Sequence, residues 1–286
     1  MSSPAEKVRL GYIGLGNMGA PMAQRLVDWP GGLTVFDVRT DAMAPMVKAG
    51  ATAAASVAEV AAAGIISVTV VDDAQVREVV GELAQHAEPG TVIAIHSTIS
   101  DTTAVELAAE LAPKQIHVID APVSGGAGAA VKGELATMVG ADRAIYEQIK
   151  PAFKNWASLV IHAGEPGAGT RMKLARNMLT FTAYAAAGEA MALAEASGLD
   201  LQALGRVVRH TDALTGGPGA IILRDSAGPL APDHFLYRLF QHTRGLGEKD
   251  LRLALGLGEA TGVDLPLARL AVSKLAAGLG VPHETD

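Results

Sequence analysis

Val8-Arg9-Leu10-Gly11-Tyr12-Ile13-Gly14-Leu15-Gly16-Asn17-Met18-Gly19 decides the fold. An apolar run reads as a buried strand, a glycine-rich turn follows, and helix formers continue from Ala20 to Val27. In that strand–turn–helix context, G-x-G-x-x-G is a dinucleotide-binding fingerprint. Gly14 permits the tight turn, Gly16 lets the backbone approach a pyrophosphate, and Gly19 lets the helix pack close to the strand. The helix start favours the anion. Leu15, Asn17 and Met18 belong to the same cofactor-binding turn. A second strand, Thr34–Phe36, ends at Asp37, where an acidic side chain hydrogen-bonds the ribose hydroxyls of NAD and repels a 2′-phosphate. Arg39, two residues on, could clamp that phosphate and leaves NADP as an alternative.

Outward from this unit the first half of the chain alternates short β-branched runs with helical patterns, which predicts βαβ units and a parallel sheet. Further strands are expected at Ile65–Val71, Thr91–Ile95, Ile116–Ile119, Leu135–Val139 and Leu159–His162. Helices are expected at Val57–Ala62, Ala74–Gln85 and Thr103–Ala112, and Ser56 with Glu59 reads as a capping box. After Gly164-Glu165-Pro166-Gly167 the pattern changes. Helix formers run from about Ala168 to Ala196, and Gly198 supplies a stop. Such a helix spans roughly 40 Å at 1.5 Å per residue. The remainder reads helical, interrupted at Thr215–Gly219 and Gly228–Pro232. The expected class is α/β: an N-terminal doubly wound Rossmann domain over 1–164, and an all-helical C-terminal domain over 165–286, joined by the long helix.

Composition narrows the function classes. The chain has 286 residues, 49% of them hydrophobic but only 4% aromatic. Its 30 acidic and 23 basic residues give a net charge of −7, which argues against nucleic acid or an anionic membrane as partner. There is no cysteine, which excludes disulfides, thiolate catalysis and Cys-ligated zinc. The opening Met1–Lys7 lacks a secretory pattern, and no apolar stretch is long enough to span a bilayer. A cytoplasmic protein is expected, and nothing in the sequence calls for a metal.

Two further stretches carry chemistry. Asp120-Ala121-Pro122-Val123-Ser124-Gly125-Gly126 follows a strand at the carboxyl edge of the sheet, where open α/β folds bind ligands. Backbone N–H groups in a Ser-Gly-Gly turn can converge on a small carboxylate, with the serine hydroxyl beside them. Lys173 lies near the start of the long helix and shares one face with Arg176 and Asn177. A sheltered lysine loses part of its proton affinity and becomes usable as an acid/base, with Asn177 placed to hold it or a substrate hydroxyl.

These residues together resemble the β-hydroxyacid dehydrogenase family. Tyr12–Ala23 is similar to the family's opening signature. Asp120–Gly126 with Lys132–Gly140 resembles its substrate loop, Gly167–Asn177 its lysine-bearing segment, and Lys249–Ala254 its late Lys-Asp-Leu motif. The resemblance implies reversible hydride transfer between NAD (or NADP) and a small hydroxy acid, in a homodimer or homotetramer. It implies Lys173 as general acid/base assisted by Asn177, and Ser124, Gly125 and Gly126 as the seat of the substrate carboxylate. Val71, Asp72 and Thr98 would then lie along the cofactor, and Lys249 would reach the cofactor or substrate. The chain departs from the family at Arg176, where an asparagine is usual, and at His96, where the residue is often acidic or small. Its loop Leu214–Gly219 lacks the aromatic and serine residues of 3-hydroxyisobutyrate enzymes. Rival readings are a 6-phosphogluconate dehydrogenase, an imine reductase or other NADP-dependent carbonyl reductase, and a non-catalytic binding module. The retained lysine, the Arg176-Asn177 pair, the chain length and the acidic charge weigh against them.

Overall fold

The computed structural model describes residues 8–283; the opening stretch read for a secretory pattern lies outside them. In chain order the elements are β1 (Leu10–Ile13), α1 (Gly19–Gln24), β2 (Leu33–Phe36), α2 (Thr40–Lys48), β3 (Thr52–Ala53), α3 (Val57–Val60), β4 (Ile65–Val68), α4 (Asp73–His86), β5 (Val92–Ile95), α5 (Asp101–Leu111) and β6 (His117–Asp120). There follow β7 (Val123–Ser124), α6 (Gly126–Lys132), β8 (Leu135–Gly140), α7 (Arg143–Phe153), β9 (Ala157–Gly164), α8 (Ala168–Ala196), α9 (Leu201–Thr215), α10 (Tyr237–Thr261) and α11 (Pro266–Leu279).

Residue contacts divide the chain into two compact units between Arg176 and Asn177, inside α8. The first holds a nine-stranded sheet in the order β3-β2-β1-β4-β5-β6-β8-β7, with β9 paired to β8. Neighbours from β3 through β6 are parallel, and the order reverses direction between β1 and β4, the switch point of a doubly wound sheet. Period-two alternation splits the apolar residues between two faces. Leu10 and Tyr12, Val92 and Ala94 pack on one side with Met22, Met43, Phe153 and Trp156. Ile13, Ile66, Val68, Ile93 and Ile95 pack on the other with Val76, Val80, Leu83 and Leu107. Both faces are buried, which is why these strands read as continuous apolar runs.

The sequence pattern suggested a parallel sheet, but the sheet is mixed. β8 runs antiparallel to β6 and β7, while β9 is parallel to β8. The expected Ile65–Val71 strand stops at Val68, because the chain turns there towards Asp72, the N-cap of α4. Of the expected capping box at Ser56, the first half forms: Ser56 Oγ accepts from Glu59 N, while the Glu59 carboxylate accepts from Ala55 N, one residue before the N-cap.

The second unit contains the rest of α8 with α9, α10 and α11. Its buried apolar cluster is small, made of Leu236, Phe240, Leu279 and Val281 with Leu230, Tyr237 and Leu275 against it. The Glu189 carboxylate of α8 accepts from Leu267 N at 2.7 Å and Ala268 N at 3.1 Å, capping the first turn of α11. Among the described residues no helix is long and apolar enough to cross a membrane.

Candidate active site

The glycine loop follows β1 at the carboxyl edge of the sheet. Gly14 has φ +90°, and a Cβ there would stand 2.0 Å from the Thr69 carbonyl oxygen. A Cβ on Gly19 would stand 1.9 Å from the Gly14 carbonyl oxygen, so α1 packs against the loop at glycine distance. Gly16 is different: it is exposed, and a Cβ would meet nothing of the protein within 4 Å. That open, side-chain-free backbone fits the close approach of a dinucleotide pyrophosphate. Asp37 ties the loop to the end of β2. Its Oδ2 accepts from Leu15 N at 2.7 Å, and its Oδ1 accepts from Arg39 N at 2.8 Å with the Arg39 guanidinium 3.4 Å away. Of the other loop residues, Leu15 is buried in the core, Met18 is half-buried and Asn17 is exposed.

The loops after β4 and β5 lie along the same edge. Val71 is exposed, and Asp72 caps α4 by accepting from Gln75 N at 2.9 Å. Thr98 is exposed between β5 and α5. Beside it, Ser97 was not singled out by sequence reasoning, although its hydroxyl donates to Val70 O at 2.6 Å and accepts from Val70 N at 2.9 Å. It clamps the two loops together, and no local sequence signal marks so long-range a bond. His96 is buried among Tyr12, Phe153 and Trp156, with Nδ1 at 2.8 Å from Ala121 O and Nε2 at 3.0 Å from Ser67 Oγ. Burial pushes its pKa down to about 4, so near neutrality it is an uncharged core residue.

Lys173 and the Ser-Gly-Gly stretch meet within the first unit. Val123 and Ser124 form β7, pairing with Thr137 and Ala136 of β8. The stretch is thus a short strand, then Gly125 at φ 132°, then α6 opening at Gly126, rather than a plain turn. A Cβ on Gly125 would press on Ala129 and Leu135. The Lys173 side chain is only 8% exposed, and Nζ donates to Val123 O at 2.6 Å, one residue before Ser124. Burial, and then the positive charge of Arg176, hold its pKa below the ordinary lysine value. Asn177 lies one turn beyond Lys173 on α8 and is half-buried. Lys249, on α10 of the second unit, is exposed and ion-paired with Asp250 at 3.0 Å.

One residue of the substrate-loop motif has a partner that the sequence did not suggest. Asp120 is fully buried, and its carboxylate accepts from Gly167 N at 2.7 Å and Thr170 N at 2.5 Å. Among the described residues no cluster of three or more His, Asp or Glu is arranged to hold a metal.

Two family models cover this architecture in order: the NAD-binding domain of 6-phosphogluconate dehydrogenase over residues 9–164, and the NAD-binding domain of NADP-dependent 3-hydroxyisobutyrate dehydrogenase over residues 167–281. A 3-hydroxyisobutyrate dehydrogenase of Pseudomonas aeruginosa is 33% identical, covering 96% of this chain and 94% of that protein. The chain belongs to the β-hydroxyacid dehydrogenase family. Like the family, it is an NAD(P)-linked dehydrogenase acting on hydroxyl groups. An uncharacterized oxidoreductase of Mycobacterium tuberculosis is 68% identical, over 99% of this chain and 97% of that one. The crystal structure of an oxidoreductase from Mycobacterium avium is 77% identical with a TM-score of 0.94, over 96% of this chain and all of that one. An imine reductase from a Pseudomonas species, at 21% identity and TM-score 0.73 over 96% of this chain and 95% of that one, shares the fold alone.

Proposed function

We propose that the chain oxidises a small β-hydroxy acid reversibly with NAD, using Lys173 as general acid/base. The observation that carries this reading is the contact of a buried lysine, its proton affinity lowered by its surroundings, with the strand that ends in Ser124. Ser124, Gly125 and Gly126 hold the substrate carboxylate, and Asn177 assists in orienting the hydroxyl. Gly14, Leu15, Gly16, Asn17, Met18 and Asp37 form the cofactor seat, with Val71, Asp72 and Thr98 further along it. Lys249, in the run similar to the family's late Lys-Asp-Leu motif, is a further candidate cofactor ligand. The bound nicotinamide supplies the hydride acceptor. Neutral Lys173 Nζ takes the hydroxyl proton as the adjacent carbon loses hydride. In the reverse direction protonated Nζ polarises the carbonyl, stabilises the developing alkoxide and returns the proton.

NAD is favoured over NADP because the Asp37 carboxylate sits at the end of β2 within reach of the glycine loop. Initial rates with each cofactor test this, on 3-hydroxyisobutyrate, 3-hydroxypropionate, glycerate, serine and 4-hydroxybutyrate. Turnover of at least one acid, faster with NAD, is expected. Silence across these acids with tight cofactor binding would overturn the substrate class and bring forward the imine-reductase reading, which shares the fold.

The second unit carries the reading of assembly. Phe181, Tyr184, Leu214, Phe235 and Leu253 are all more than 60% exposed in the single chain, against the small cluster around Phe240. Exposed apolar surface of that kind marks an interface. The small-residue run Thr182–Gly188 allows close helix approach. A homodimer or homotetramer is expected by light scattering, and a monomer at micromolar concentration would refute it.

A further inference from the structure

Asp120 ends β6, and it is buried completely. Its two carboxylate oxygens each accept a backbone N–H from the start of α8: Oδ1 from Gly167 at 2.7 Å and Oδ2 from Thr170 at 2.5 Å. The first N–H groups of a helix have no partner within it, and a negative charge there is favoured by the helix dipole. Gly167 has no side chain to serve as its own cap, so the acceptor comes from 47 and 50 residues upstream. Glycines bring the two elements this close. A Cβ on Gly140 would lie 2.2 Å from Asp120 Oδ1, and one on Gly169 would lie 2.3 Å from the Met138 carbonyl oxygen. The first turn of α8 is therefore pressed onto β6 and β8 with the carboxylate between them.

Lys173 follows Thr170 by three residues, on the same helix face. Its Nζ returns to Val123, three residues after Asp120. The circuit closes: Asp120 holds the helix start, the helix carries the lysine, and the lysine rests on the strand that leaves Asp120.

We infer that Asp120 is a positioning residue, fixing the depth and direction of Lys173 Nζ beside Ser124–Gly126. This rests on the acid/base reading of Lys173. From β7 the Val123 carbonyl faces Lys173 Nζ, and on its own helix the charge of Arg176 acts on it.

Asp120→Asn keeps the shape but turns one acceptor into a donor aimed at an N–H. A displacement of the reacting group by about 1 Å costs ~10²-fold in rate. The variant is expected to lose about 10- to 100-fold in kcat, with cofactor Kd close to wild type. A loosened first turn admits water to Lys173, so the pH limb of oxidation moves upward. Glu189→Gln is the control: it weakens a similar cap, on α11, and lowers Tm without moving that limb. An unshifted limb in Asp120→Asn would overturn the positioning role, whatever the loss in kcat. Lys173→Ala alongside separates the two readings: activity that survives it removes the acid/base role, whereas an inactive Lys173→Ala with an unshifted Asp120→Asn limb removes the positioning role alone. Should Asp120→Asn fail to fold, hydrogen exchange of the native protein decides. Gly167 and Thr170 amides protected like those of β6 support the cap, and exchange as fast as in a frayed helix start overturns it.

Discussion

Alanine at Lys173 is expected to lower kcat by ~10²–10⁴-fold, the range that a positioned general acid/base contributes, while leaving cofactor Kd nearly unchanged. In barrier height that is about 3–5 kcal/mol at 1.36 kcal/mol per decade. Cofactor affinity is spared because the lysine contacts β7, whereas the glycine loop is held by Asp37. The pH dependence has a defined sign. Oxidation requires the neutral amine, so its rate climbs with pH through the lysine's pKa, which burial and Arg176 hold below the ordinary value. Reduction requires the ammonium and falls over the same interval. Lys173→Ala removes both limbs. Arg176→Gln withdraws the smaller of the two causes and moves the limbs upward without abolishing them. Steady-state rates across pH in both directions check all of this. A Lys173→Ala enzyme that keeps most of its turnover would take the lysine out of the chemistry.

The fold was legible where each residue's role is local. Gly14 and Gly19 announce a strand–turn–helix because close backbone approach demands glycine there, and the long helix Ala168–Ala196 shows in an unbroken run of helix formers. Short, continuous β-branched apolar runs identified most strands of the doubly wound core, because both faces of the sheet are buried. Less legible was the geometry between Val123 and Lys132. Two glycines suggested a loop, but β8 supplies a partner for Val123 and Ser124, and Ala129–Ala130 can pack as a short helix. The reversed β8 was invisible for the same reason, since an apolar strand reads alike in either direction. The pairing of Asp120 with Gly167 and Thr170 depends on a fold-level approach that no local pattern encodes. A buried aspartate at a strand end, beside a helix that begins on glycines, is the closest thing to a signal.

Two neighbouring glycines should respond in opposite ways to the same added methyl. Gly14→Ala places a Cβ 2.0 Å from the Thr69 carbonyl at φ +90°, where the backbone itself resists a side chain. A strained backbone costs about 1–3 kcal/mol. Displacing packed neighbours costs about 1–3 kcal/mol more. Tm should therefore fall by roughly 4–24 °C, at about 2–4 °C per kcal/mol for a unit of this size, and cofactor binding should fail with it. Gly16→Ala meets nothing within 4 Å, and its φ is not in the left-handed region, so the fold should be indifferent to within about 0.5 kcal/mol. On the proposed cofactor seat, its methyl would enter the space left for the pyrophosphate. Loss of one hydrogen bond to a charged group is worth about 1.5–3 kcal/mol. That converts to about 10- to 100-fold in Kd. Thermal unfolding and NADH titration of the two variants separate stability from binding. Gly16→Ala protein with unaltered Tm and wild-type NADH affinity would mean that the pyrophosphate does not sit on this loop. The measurement requires no knowledge of the substrate, because NADH binding is read directly.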